Sequence, residues 1–180
     1  MRYSLSLLAV FLGSHLCSCV GTRIVGNDVQ IPHAIEKIAT SPSGGEMADA
    51  IATALSQSET YDLEVLDTSA TLSLLTELEI PSVRASLPEN MEHMRARGVD
   101  AYLRIEMTHH LISEDPGDVN VRLFSTHHPE QCLQFTWHNA RGGMRGSLAD
   151  ASMRKGRSAA ADEIAAELVR RLTPSLTPNP

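Results

Sequence analysis

Between Val99 and Thr108 every second residue is apolar, and this run constrains the fold more than any other stretch of the chain. Val99, Ala101, Leu103, Ile105 and Met107 alternate with Asp100, Tyr102, Arg104, Glu106 and Thr108. That period of two belongs to a strand with one buried and one wetter face. Val119, Val121 and Leu123 resume the alternation after the turn residues Asp115-Pro116-Gly117-Asp118, and His128-Pro129-Glu130-Gln131 turns the chain again into residues 132–139. Three consecutive antiparallel strands follow from this pattern, and their apolar face needs a layer to cover it.

Helical periodicity supplies that layer. Residues 34–40, carrying Ile35 and Ile38, read as a first strand. Ser41-Pro42-Ser43-Gly44-Gly45 reads as a strand-to-helix turn, which could present backbone N–H groups to an anion but is more simply a connection. A helix over 46–56 repeats Met47, Ile51 and Leu55 on one face. Residues 61–66 form a second strand, and Asp67 or Thr68 can cap a helix whose stripe is Leu72, Leu75 and Leu78, stopped by Pro81. A short helix follows Ser86 and Pro88 and is closed by Gly98. Residues 141–146 form a glycine-interrupted loop, and one long helix over 149–172 turns Ala161, Ile164, Leu168 and Leu172 inward. The expected fold is an α/β (α+β) two-layer sandwich with a mixed sheet, helices mainly on one face, in the order β-α-β-α-α-β-β-β-α. It occupies residues 34–172 as a single domain, followed by a frayed tail at 173–180.

The N-terminus reads differently. Arg2 precedes the apolar run Leu5 to Leu12, which has the character of a secretory leader. It is shorter than the roughly 20 apolar residues a spanning helix needs. The run ends in Leu16-Cys17-Ser18-Cys19, which resembles the lipobox of bacterial lipoproteins. The resemblance implies a signal peptide over 1–18 and diacylglyceryl and acyl groups on Cys19. Val20 in the next position implies sorting to the outer membrane, with residues 19–33 as a lipidated tether interrupted by Gly21, Gly26 and Pro32. Of three cysteines, Cys17 then leaves with the leader and Cys19 is acylated, so Cys132 stands alone and no internal disulfide can form. About 160 remaining residues suffice for one ordinary core. The formal net charge of −7 argues against a nucleic-acid partner.

The run Ala48-Asp49-Ala50-Ile51 to Tyr61-Asp62-Leu63-Glu64-Val65-Leu66-Asp67 resembles a helix feeding a strand in envelope lipoproteins related to the curli-secretion protein CsgG. Lipoprotein activators of penicillin-binding proteins and the N-terminal domain of TolB share that arrangement. Leu72-Ser73-Leu74-Leu75-Thr76-Glu77-Leu78 is similar to the family's next helix, and Arg97-Gly98-Val99-Asp100-Ala101-Tyr102-Leu103 to the entry of its central strand. Val119 to Leu123 resembles the following strand, and Ser158 to Leu172 the closing helix. Two departures matter. A Thr-Gly-Glu turn usual in the family is replaced by His127-His128-Pro129-Glu130. The connections 111–118 and 140–152 are too short for membrane-spanning hairpins, whose strands need about 9–11 residues each. The resemblance therefore implies a poreless, non-catalytic interaction module in envelope assembly, secretion or cell-wall synthesis, with an envelope protein as partner.

Histidine carries the competing reading, a periplasmic metal-binding lipoprotein. Of eight histidines, His15 lies in the leader, and His109, His110, His127, His128 and His138 fall on the hairpins. Neutral imidazoles suit zinc, copper or nickel. A turn at 115–118 sets His127 opposite Tyr102, and His138 opposite Asn120, which faces His109. His109 and His138 then share a row but lie two strands apart, about 10 Å, too far for metal–nitrogen bonds of about 2 Å unless both side chains reach inward. No G-x-S-x-G or H-E-x-x-H motif occurs, and Cys132 sits inside a strand pattern with nothing to activate it, so no enzyme and no cofactor is expected. Last, Arg141, Arg145, Arg154, Lys155 and Arg157 cluster against Asp150 alone. The plain reading is a solvated loop and first helical turn. Positive charge at a helix start opposes the macrodipole, which lends some support to the sharper one, a docking patch for an acidic protein, lipid headgroups or cell-wall polymer.

Overall fold

The computed structural model describes residues 19–27, 29–58, 63–109, 115–142 and 147–173. They build an α+β sandwich around a six-stranded mixed sheet. Its strands are β2 (Arg23–Gly26), β3 (Lys37–Thr40), β4 (Glu64–Leu66), β5 (Ala101–His109), β6 (Pro116–Ser125) and β7 (Cys132–His138), in the order β2-β7-β6-β5-β3-β4. β3 pairs in parallel with both β4 and β5, and every other pairing in this sheet is antiparallel. A separate two-stranded ribbon joins β1 (Cys19–Val20) to β8 (Arg141–Gly142). The helices are α1 (Gly45–Ser56), α2 (Thr68–Glu77), α3 (Pro88–Arg95), α4 (Leu148–Met153) and α5 (Arg157–Leu172).

The alternation predicted for the hairpin strands is what divides the core. Leu103, Ile105, Val121, Leu123, Phe135 and Trp137 point to one face, where Met47, Ile51 and Leu55 of α1 and Ile164, Leu168 and Leu172 of α5 cover them. Ala39 and Tyr102 point to the other. There Leu75 of α2, with Met91 and Met94 of α3, closes a second, smaller cluster along the β3–β5 side. Tyr102, placed by pattern on the wetter face, is accordingly buried. The chain leaves β3 over one face through α1 and returns from β4 over the other through α2 and α3. The end of β3 is therefore a point where connections diverge.

Capping follows local chemistry. The Asp67 carboxylate accepts from the Ala70 N–H at 2.7 Å and starts α2 as anticipated. Gly98, at φ 76°, closes α3, with the Val99 N–H on the Met94 carbonyl and the Gly98 N–H on the Arg95 carbonyl. The same motif ends α2, but Glu79 takes the left-handed position at φ 56°, with Ile80 bonded back to Leu75. Helix α2 therefore stops before Pro81 is reached. Its inner stripe is Thr71 and Leu75, and Leu72, expected in it, is exposed.

Three further expectations are corrected. Residues 23–26, read as tether, form an edge strand on β7. Asn27 secures it by donating to the Cys132 carbonyl and accepting from the Gln134 N–H at 2.8 Å. The turn placed at 115–118 is not there: Pro116 already opens β6, a position that asks no N–H of it. The long final helix is broken at residues 154–156. The Asn139 side-chain amide donates to the carbonyls of Pro116 and Lys155 and accepts from the Lys155 N–H, all within 2.9 Å. Those bonds hold residue 155 out of helical geometry between α4 and α5.

Candidate functional site

The sequence nominates three places, and the fold treats each differently. At the first, the Cys19 backbone is paired with Gly142, and Val20 with Arg141. Helix α4 lies directly on this ribbon. A side chain at position 142 would meet the Ala149 carbonyl oxygen at 2.5 Å and Met153 Cγ at 2.8 Å, so only glycine permits the approach. The proposed lipid-bearing residue is thus joined to the folded domain through β8. Beside it Leu148, at the start of α4, is 91% exposed.

The basic segment is the second. Arg145 lies outside the described residues. Each of the other four meets a carboxylate that linear proximity did not reveal, apart from Asp150. Arg154 reaches Asp150 at 2.8 Å, with both side chains almost wholly buried. Lys155 donates to Glu163, which also accepts from the Trp137 indole at 2.8 Å. Burial pushes the Glu163 carboxyl up, but hydrogen bonds from Lys155 and Trp137, the Lys155 charge and Thr22 outweigh it and hold it below the usual range. Arg157 pairs with Glu46 on α1 at 2.5 Å, and Arg141 with Asp118 at 3.5 Å. Of these four, Arg141 and Arg157 stay exposed beside their carboxylates, Lys155 partly so, and Arg154 does not. Arg154 in particular belongs to the interior.

The histidines are the third. The β5–β6 register runs three residues short of the expected one: Tyr102 faces Phe124 and Asn120 faces Glu106, while His109 faces Pro116 beyond an irregularity after Met107. His138 faces Asp118, its Nδ1 3.0 Å from the carboxylate. His109 and His138 therefore do not share a row, because β6 already begins at Pro116. His110 lies outside the described residues.

A different set gathers instead. The His33 ring lies 4.3 Å from that of His127 and 5.9 Å from that of His128, between centroids. Ser125 organises the turn, its Oγ accepting from the backbone N–H groups of His127 and His128 at 3.1 and 2.9 Å. His127 Nε2 lies 3.3 Å from Asp100, whose other oxygen accepts from the Glu36 and Lys37 N–H groups at 2.9 Å. Burial, then the neighbouring His127 and, more weakly, His128, lower the His33 pKa below 6.5 against the pull of Asp100. Its Nδ1 is buried without a partner. Sequence reasoning missed this cluster because His33 lies in the presumed tether, far along the chain from the turn it meets. Among the described residues no three His, Cys, Asp or Glu side chains are placed to hold a metal ion. Cys132 is half-buried, and burial raises its thiol pKa against the opposing charge of Arg122.

No family model and no curated protein matches the chain. Among solved structures it is similar to PelC from Paraburkholderia phytofirmans. A dodecameric PelC variant shows 15% identity and a TM-score of 0.46 over 86% of this chain and 97% of that one. A second PelC dodecamer shows 14% identity and a TM-score of 0.43 over 84% and 95%. Likeness of this degree carries no statement about activity or partners.

Proposed function

We propose that the chain is an outer-membrane lipoprotein, anchored through Cys19, whose periplasm-facing domain is a non-catalytic interaction module. Its place is in envelope assembly, secretion or cell-wall synthesis, with a protein partner in the envelope and no pore of its own. The observation that carries this reading is the sequence Leu16-Cys17-Ser18-Cys19 behind a charged, apolar leader. Two acyl chains on one thiol give firm membrane attachment, where a single chain gives only marginal binding. The non-catalytic assignment draws on the side chains themselves. Burial raises the Cys132 thiol pKa, and the fully buried Ser125 Oγ accepts from two backbone N–H groups, with His33 Nε2 3.5 Å away. Lipid labelling in cells tests the anchor. Cys19→Ser is expected to abolish it, and labelling that persists there but vanishes with Cys17→Ser would move the modified residue. Crosslinking in intact envelopes then identifies the partner.

Metal binding by histidines is the second reading; among the described residues no three side chains are placed to hold an ion, and the nearest gathering of imidazoles is that of His33, His127 and His128. A zinc or copper titration separates the two. Submicromolar binding lost on replacing His33 and His127 would displace the interaction module as the primary function.

A further inference from the structure

A cavity of about 90 Å³ lies where β3 ends, lined by Ser41 and Ser43, by Ser82 and Ser86, and by Tyr102 and Arg104 of β5, with the 84% exposed Val83 at its rim. Its position is the one open sheets with diverging connections reserve for ligands, outside the carboxyl end of a strand. Tyr102 is 1% exposed, and its hydroxyl makes no well-formed hydrogen bond, although Ser41 lies near enough to interact with it. Burial raises its pKa, with Ser41 and the Arg104 charge nearby opposing that rise more weakly. A buried phenol normally satisfies its O–H with good geometry, so this hydroxyl is left short of a well-placed acceptor.

The charge arrangement identifies the acceptor. Arg104 stands directly opposite Arg122 across β5 and β6, and like charges in that relation repel. Arg104 is balanced by Glu106 at 2.7 Å, a pair so exposed that it holds weakly. Arg122 has no carboxylate partner among the described residues, and its Nε is buried without an acceptor. The cavity lining itself contains an arginine, a phenol and serine hydroxyls but no carboxylate. A volume of about 90 Å³ accommodates one oxyanion group.

We infer that this crevice is a binding site for a single oxyanion group, a carboxylate, sulfate or phosphate, held by Arg104 and the Tyr102 hydroxyl with the serines around it. The site does not depend on the lipid anchor or on the interaction reading. Arg104 exchanges Glu106 for the ligand, Tyr102 donates its unused proton, and the added negative charge relieves the Arg104–Arg122 opposition.

Calorimetric titration of the full-length protein in detergent, with acetate, sulfate and inorganic phosphate at ionic strength held constant by chloride, tests the site. Saturable binding of at least one of them, distinct from chloride, is expected, and the tightest names the group. Arg104→Gln should weaken it about tenfold or more, the loss typical of a charge-assisted hydrogen bond. Tyr102→Phe should weaken it several-fold while leaving the unliganded melting temperature unchanged or raised, because the removed hydroxyl makes no well-formed internal hydrogen bond. Glu106→Gln should tighten it by removing the competing carboxylate. Absence of saturable binding for all three anions would overturn the inference. So would binding that Arg104→Gln leaves intact, or a Tyr102→Phe variant that is destabilised without ligand.

Discussion

Replacing Arg154 by Met tests whether the basic segment is surface or interior. An exposed arginine matters by no more than about 0.5 kcal/mol, which is what the linear charge cluster implies. The structure implies otherwise. The Arg154 guanidinium and Asp150 carboxylate meet at 2.8 Å with side-chain exposures of 6% and 3%, and the Asp150 N–H is bound by the Ser147 cap of α4. Removing one member of such a pair leaves the other charge buried and costs about 3–5 kcal/mol. The lower end applies here, because the six-residue α4 can relax away from the domain. Urea unfolding of residues 19–180 carrying Cys19→Ser, followed through the single, fully buried Trp137, reads the effect. With a slope of about 2 kcal/mol per molar urea, a loss of about 3 kcal/mol lowers the midpoint by about 1.5 M. The double variant Asp150→Leu with Arg154→Met should recover most of it, since an apolar pair replaces a buried ion pair at little cost. A single variant within about 0.5 kcal/mol of the parent, or a double variant worse than the single, would refute the interior assignment.

The remaining predictions concern the same unfolding measurement. Glu79→Gly removes a left-handed non-glycine residue and should stabilise by about 1 kcal/mol, whereas Gly98→Ala should destabilise by about 1–2 kcal/mol; the reverse order would contradict both caps. Asn139→Asp keeps the side-chain shape but turns a donor facing the Pro116 and Lys155 carbonyls into an acceptor. It should cost about 2–3 kcal/mol, and a neutral result would mean α4 and α5 are separated by Gly156 alone. For pH, the folded-state pKa of His33 lies below its unfolded value of 6.5, so the folded protein binds fewer protons than the unfolded chain in that interval. Its contribution is present above 6.5 and is lost as pH falls through the folded pKa. His33→Gln should flatten this part of the stability profile, and an unchanged slope would assign it to other groups.

What the sequence determined by itself was local. Alternation over residues 99–108 and 119–123 foretold β5 and β6, because a strand's faces are set by a period of two whatever surrounds it. Asp67 and Gly98 announced helix ends because an N-cap carboxylate and a left-handed glycine act within a few residues of themselves. The sandwich class followed from those elements and the need to bury one face. Tertiary structure decided everything that depends on which distant groups meet. Residues 23–26 became a strand because β7 offered an unpaired edge, a fact absent from their own composition. The final helix broke at Lys155 because Asn139, on the far side of the loop, competes for its backbone. Register was misjudged by three residues in the first hairpin and two in the second, and with it went the shared row of His109 and His138. Lys155 and Arg157 look unopposed in sequence because Glu163 and Glu46 reach them only through the packing of α5 on the sheet and on α1. The histidine cluster and the crevice at Tyr102 arise in the same way: charge and hydrogen bonding act through space, while the chain records only order.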